Sequence, residues 1–540
     1  MRSDEPVMWN RRRALRMLTA AGACAALRPA IAPAQQRAIL TRPIPSTGEA
    51  LPVVGLGSWI TFNVGDDTVA RDACTDVMRK FVESGGRMID SSPMYASSQD
   101  VIGYGLRKAA LTGRIFAADK VWTSSGTQGR EQIERSRQKW QVGRFDLVQV
   151  HNLLNWQEHL PTLFAMKGAG QVRYVGITTS EGRRHRDVEQ LMRSQAIDFV
   201  QVTYNPVDRE VEQRILPLAR DRGIAVIVNR PFRQGALLRA GATTAPSLGG
   251  GNRVHELGAV RVEVHRLAPR RHVRDPGDNQ RGPRAGEHEF GVRAPARRGV
   301  APAHDRGGGA DLMSEWWTYR LTSFLLFSPS TYYRMLERYN LAIWPAQLAG
   351  MAIGLAIVAL LIGKRGHHDR IIAGLLAGCW LWIALAFHYQ RYAQINWAAM
   401  WFAVAFACEA LLLIVVGVLA GRLELQLARS GAPWIAASIV AISILGYPVL
   451  APLTGRPWTS AEIFGVAADP TAITSVAVLA LVRGRIRWLL LVVPVLWCAI
   501  AAATLRAMDA PEAWVVLAAG LLALWPAVAA TRHDAHDATR

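Results

Sequence analysis

From residue 341 to residue 530 the chain is a succession of long apolar runs, and this stretch limits its fold more than any other. A bilayer core offers no partners to backbone N–H and C=O groups, so a segment placed there must be helical or part of a closed barrel. Runs can be drawn at 344–362, 371–387, 398–420, 434–450, 471–482, 488–505 and 513–530. A helical span needs about 20 residues, and only the fifth run falls well short. Trp344, Trp397, Trp434, Trp488 and Trp514 stand near run ends, as interfacial aromatics do. The expectation is an all-α membrane domain of about seven transmembrane helices over residues 313–530, with a short tail over 531–540.

The formal net charge of +20 invites a nucleic-acid reading, but the chain carries no recognisable binding module. The arginines gather at the N-terminus, in a basic stretch before the apolar half, and between the runs. Targeting and membrane topology account for them. Lys364, Arg365 and Arg370 follow the first run, Arg422 and Arg429 the third, and Arg483, Arg485 and Arg487 the fifth. The other loops carry mainly Arg391, Arg456 and Arg506. Cytoplasmic loops are enriched in Lys and Arg, so seven spans put the N-terminal half outside, in the periplasm of a bacterial inner-membrane protein. Arg334 and Arg338, just before the first run, argue mildly the other way.

Residues 1–34 have the layout of an export signal. Arg11, Arg12 and Arg13 precede a mildly apolar stretch from Met17 to Leu27, and Ala32-Pro33-Ala34 fits a small-x-small cleavage site. Adjacent arginines before a weakly apolar run favour the twin-arginine route, although Ala14 stands where a large apolar residue is usual. The five cysteines show neither a disulfide framework nor metal-ligand spacing, and the adjacent His367 and His368 do not make a metal site. No metal is expected.

Residues 37–240 alternate short apolar runs with polar helical stretches, the pattern of a soluble α/β domain. The first strand-like run is Val53–Thr61, and six more end near Asp90, Lys120, His151, Thr178, Asn205 and Arg230. Tyr95 lies in the loop five residues past Asp90. In a (β/α)-barrel the strand ends converge on one face, so Tyr95, Asp90, Lys120 and His151 would meet there. Together they can deliver a proton to a carbonyl oxygen.

This order and spacing resemble the aldo/keto reductase family, and the likeness extends to Tyr95–Gly103, Gly170–Ile177 and Val200–Pro206. The resemblance implies an NAD(P)H-dependent oxidoreductase on an α/β, (β/α)8 TIM-barrel-like domain, reducing a small carbonyl substrate with NADPH, NADH being possible. Tyr95 would be the general acid. Lys120 would lower its pKa, Asp90 would hold Lys120, and His151 would orient the substrate oxygen. Gln201 matches the family's carboxamide-binding Gln. Thr178 and Thr179 fall where many members carry Ser-Asn, and Asn229-Arg230-Pro231-Phe232 falls where many members have an aromatic that stacks on the nicotinamide, which Asn229 cannot do.

The likeness ends near Leu237-Leu238, after seven strands, so the barrel is expected to be incomplete. Residues 241–312 are rich in Arg, Pro, Gly and His and keep no period of 2 or 3.6, so no core-forming element is expected. A genuine disordered linker fits this stretch. So does a frame slip that runs the barrel's last quarter into a second gene starting at Met313, and the abruptness favours the slip. Within the apolar half, Phe387–Trp397, Pro448–Pro452 and Asp469–Ala472 resemble a family of bacterial multi-pass membrane proteins of unknown function. His388, Arg391, Glu409 and Asp469 are its polar residues of interest, Glu409 being the deepest. The alternative to a tethered reductase is an integral membrane protein carrying a truncated, non-catalytic passenger.

Overall fold

The structure, a computed structural model, describes residues 39–237, 321–363, 368–425 and 432–537. The export-signal reading of residues 1–34 and the linker or frame-slip reading of 241–312 lie outside them.

A hairpin, β1 (Thr41–Pro43) and β2 (Ala50–Pro52), precedes seven parallel strands ordered β3 to β9. These are β3 (Leu56–Gly57), β4 (Met88–Asp90), β5 (Phe116–Val121), β6 (Phe145–His151), β7 (Val172–Thr178), β8 (Phe199–Thr203) and β9 (Ala225–Asn229). The crossovers are helices α1 (Thr68–Glu83), α2 (Ser98–Lys108), α3 (Gly126–Trp140), α4 (Trp156–Gly168), α5 (His185–Ser194) and α6 (Ile215–Arg222). Every strand pairs with the next, giving a curled seven-stranded barrel sheet. Among the described residues no eighth strand joins β9 to β3. The first strand is shorter than its apolar run. Ile60 takes a left-handed φ of 67° and Phe62 N–H returns to Ser58 O at 3.1 Å, so the run's second half is a turn.

The two-residue period of a strand sorts its side chains between two environments. Val148, Val150, Val175, Ile177, Val200, Val202, Val226 and Val228 face outward and bury against the helices. Their alternates face the barrel axis. Met88, Phe116, Ala118, Leu147, Tyr174, Phe199, Ala225 and Ile227 fill the lower half, closed from below by Ile44 and Leu51 of the hairpin. One inward step higher, the same strands turn polar.

The C-terminal half is helical. α7 (Pro329–Ile343) starts at Ser328, whose hydroxyl accepts from Thr331 N–H as an N-cap. α8 (Ala346–Gly363) follows. α9 (His368–Trp382) and α10 (Ala399–Leu412) each continue into a π-helical segment, Ile383–Tyr389 and Leu413–Leu419. α11 (Ala432–Leu445), α12 (Leu450–Leu453), α13 (Ala468–Leu479), α14 (Ile486–Ala507) and α15 (Glu512–Asp537) complete it. Each of the seven apolar runs is largely helical, and among the described residues five helices are long and apolar enough to cross a membrane, by length and composition. The fifth run forms only the 12-residue α13, every residue of which is buried.

Segments of this half lie against the loops at the carboxyl ends of the barrel strands. The Asn63 carboxamide is fully buried and donates to Leu326 O at 2.9 Å and Ile395 O at 2.7 Å, while its oxygen accepts from Ser97 N–H and Oγ–H. Ile60 bridges to Phe327, Arg334 pairs with Asp67 at 3.0 Å, and Arg338 pairs with Asp66 at 2.6 Å.

Candidate active site

The upper inward layer consists of Asp90, Lys120, Gln149, His151, Thr178, Gln201, Thr203 and Asn229, each two residues on from an apolar or glycine neighbour on its strand, or from another member of the layer. Strand register lines them up. Lys120 pairs across with Gln149, His151 with Thr178, Thr178 with Gln201, and Thr203 with Asn229. Gly176 keeps this layer compact, since a Cβ there would lie 2.8 Å from Phe199 O.

Lys120 and Asp90 form a buried ion pair at 2.6 Å, and the same ammonium donates to Ser91 O at 2.8 Å. Burial alone would lower the Lys120 pKa, but Asp90, with Tyr95 and Asp119, carries it above the ordinary value. The Tyr95 ring lies 5.4 Å from Lys120 Nζ and meets the His151 ring edge-on at 5.7 Å. All four residues proposed from sequence for proton delivery therefore come together.

One electrostatic expectation needs correction. Tyr95 has a raised phenol pKa, not a lowered one. Burial is the largest cause. Lys120 pulls the value down, but Asp90 opposes it, because the ammonium's charge is already committed to that carboxylate. His151 is held neutral: burial first, and the Lys120 charge second, push its pKa well below the usual value. Its Nδ1 lies 2.7 Å from Ser92 Oγ, which also accepts from Met94 N–H at 3.2 Å. With that backbone donor in place, the hydroxyl proton is free to go to Nδ1. The remaining ring proton then sits on Nε2.

The residues proposed to hold a cofactor also converge. Thr178, Thr179 and Gln201 are buried. Thr179 N–H donates to Gln201 O at 3.0 Å, and the Asn229 carboxamide donates to Thr179 O at 3.0 Å and accepts from Thr203 Oγ at 2.5 Å. Gln201 Nε2 reaches Asp90 at 3.4 Å, and Gln149 reaches both Asp90 and Gln201 at 3.5 and 3.4 Å. These bonds are long, so the carboxamides are loosely held. The Thr179 hydroxyl is buried with no hydrogen-bond partner among the described residues. A buried orphan hydroxyl beside loosely bonded amides suits an incoming amide.

Five residues not singled out from the sequence also belong here. Ser92 and Gln149 lie two residues from Asp90 and His151, so strand alternation carried that signal. Arg230 lies 4.6 Å above the Trp59 ring, pairs with Glu181, and is pushed down to about 10 by burial. Arg230 was legible as a strand end and Trp59 as part of the first strand-like run, but nothing in the local sequence pointed to their contact. Trp122, two residues past Lys120, lies 6.3 Å from Trp397 of the helical half. Among the described residues, no cluster of three or more His, Cys, Asp or Glu is placed to hold a metal. In the helical half, His388 and Glu409 are buried, and neither their ring nitrogens nor their carboxylate oxygens have partners among the described residues.

Residues 53–264 match the profile of the Aldo/keto reductase family, and residues 330–538 match that of a Family of unknown function (DUF6064). The NADH-specific methylglyoxal reductase of Escherichia coli (strain K12) is 25% identical over 248 residues, which is 40% of this chain and 73% of that protein. Methylglyoxal reductase YeaE of the same organism is 25% identical over 198 residues, covering 36% of this chain and 68% of the relative. Aldo-keto reductase YhdN of Bacillus subtilis (strain 168) is 24% identical over 212 residues, covering 36% and 62%. Among solved structures, an aldo/keto reductase from Klebsiella pneumoniae in complex with NADP and acetate is 23% identical, covers 36% of this chain and 69% of its own, and has a TM-score of 0.32.

Proposed function

Taking residues 53–264 as an aldo/keto reductase region and residues 330–538 as a DUF6064 region, we propose that the chain is a membrane-tethered, NAD(P)H-dependent reductase of small carbonyl compounds. The observation that carries this reading is the convergence of Tyr95, Lys120, Asp90 and His151 at the strand ends, with Lys120 and Asp90 buried at 2.6 Å. The methylglyoxal reductases among its relatives support a small oxo-aldehyde as substrate. The five apolar helices support the tether. The arginine distribution supports a periplasmic barrel with residues 37–240 as its unit, reached through a twin-arginine signal over residues 1–34.

A nicotinamide cofactor, when bound, supplies the hydride. Thr178, Thr179, Gln201 and Asn229 would hold it, and the orphan Thr179 hydroxyl is the feature that fits. His151, kept neutral, donates from Nε2 to the carbonyl oxygen and fixes its position. Tyr95 then passes its phenolic proton to that oxygen. Its raised pKa keeps the proton on the phenol until charge develops on the substrate, and Lys120 stabilises the phenolate left behind. General acid catalysis of this kind contributes about 10²–10⁴-fold.

The test is Tyr95→Phe in the purified full chain. Methylglyoxal-dependent oxidation of NADPH or NADH should fall by about 10²-fold or more, while cofactor quenching of tryptophan fluorescence persists. Unchanged turnover would refute the assignment. Turnover absent from the unmodified chain would favour the non-catalytic passenger.

A further inference from the structure

The helical half contains a small cavity at which α7, the Tyr392 turn, α13 and α14 meet. Its walls include Tyr332, Tyr392, Trp497, Thr504 and the Asp469 carboxylate. Tyr332 and Tyr392 meet edge-on at 5.8 Å. Asp469 is 2% exposed. Its oxygens accept from Trp497 Nε1–H at 2.8 Å and Tyr447 O–H at 3.1 Å. Both donors are neutral, and among the described residues no cationic side chain pairs with it.

The cation nearest in kind is already taken. Arg456 pairs with buried Glu512 at 2.6 Å and lies 4.2 Å over the Tyr333 ring. Glu462, a further buried carboxylate, has no ion-pair partner among the described residues. Buried carboxylates therefore outnumber buried cations here, and an uncompensated buried charge is costly. A second observation points the same way. Tyr332 is 6% exposed, lines the cavity, and has no hydrogen-bond partner for its hydroxyl among the described residues.

We propose that the cavity bounded by Asp469, Tyr332, Tyr392 and Trp497 is a binding site for a small alkylammonium ion. A carboxylate has about four lone-pair sites, and the two neutral donors leave two for ammonium N–H groups. The Tyr332 oxygen accepts a third. The aromatic rings face the alkyl part and add cation–π attraction, which favours an organic ammonium over a strongly hydrated sodium ion. The cavity, about 10 Å³, is close to water-sized, so among alkylammonium ions methylammonium, the smallest, is the candidate occupant. The proposal is independent of the barrel's chemistry.

Equilibrium dialysis of the full chain in detergent micelles against radiolabelled methylammonium tests it, with sodium chloride as competitor. The expected result is saturable binding of one ion per chain, weakly displaced by sodium. Asp469→Asn should weaken binding by at least about tenfold, as loss of a charged partner implies. Tyr332→Phe, which deletes only the oxygen, should weaken it about threefold to tenfold. If Asp469→Asn fails to melt cooperatively, Tyr332→Phe carries the test. No saturable binding, binding insensitive to Tyr332→Phe, or displacement by sodium at equal concentration would overturn the proposal.

Discussion

Replacing Lys120 by methionine separates the two roles that the Lys120–Asp90 pair combines. The side chains are 1% and 7% exposed, so water cannot take over from either partner. Methionine fills the aliphatic volume and removes the charge, leaving Asp90 buried with only the long carboxamide contacts to Gln149 and Gln201. Breaking a buried pair by removing one member costs about 3–5 kcal/mol. For a region of this size that is roughly a 6–20 °C fall in Tm, at about 2–4 °C per kcal/mol. Reduction of methylglyoxal should fall with it, because the phenolate of Tyr95 loses its stabilising charge. Asp90→Asn combined with Lys120→Met removes both charges and should recover most of the lost stability but none of the activity. Thermal melts of both variants in micelles, followed by barrel proteolysis, read the first effect, and cofactor oxidation reads the second. The reasoning is refuted if the single variant melts with the unmodified chain, or if the double variant is no more stable than the single.

Ser92→Ala should lower kcat with little change in KM, and substrate reduction by the variant should become more sensitive to acid, since Ser92 fixes the tautomer of a histidine held neutral by burial. A pH–rate profile indistinguishable from that of the unmodified chain would remove Ser92 from the mechanism. Asp119 is pushed up to about 7 by burial from an ordinary value of 3.8, and one of its oxygens has no partner among the described residues. The folded state then binds more protons than the unfolded one between about pH 4 and 7, so stability falls as pH rises through that window. Asp119→Asn, which keeps an acceptor for Gln99, should therefore raise Tm by a few °C at pH 8 and much less at pH 4. An equal shift at both pH values would show that the carboxyl's charge is not the cause.

Much of the barrel was legible because strands announce themselves twice. The outward valines of β6 to β9 are apolar, and their inward alternates change from Phe116, Leu147 and Phe199 to Lys120, Gln149 and Gln201 along a single strand. That switch marks the site's floor without any family knowledge. Tyr95 was found by its distance from Asp90, but the direction of its pKa shift was not legible, because it depends on how far Asp90 claims the Lys120 charge. The contact of Arg230 with Trp59 was not legible because the two lie at opposite ends of the sheet, and only the curl brings them together. In the helical half the apolar runs gave the helices. The packing that buries all of α13 and assembles Asp469 with Tyr332 has no counterpart in hydropathy.

Among the described residues no strand joins β9 to β3, and this divides the proposed site unequally. Asp90, Lys120 and His151 stand on β4, β5 and β6, each flanked by strands on both sides. Asn229 stands on β9, which among the described residues is an outer strand of the sheet. Edge strands fray first, so thermal opening should reach Asn229, proposed to hold the cofactor, before it reaches Asp90, Lys120 and His151. Warming or mild denaturant should then raise the KM for the cofactor at temperatures where kcat still climbs. If the proposed function holds, the barrel would lose its grip on the reductant before it loses its chemistry.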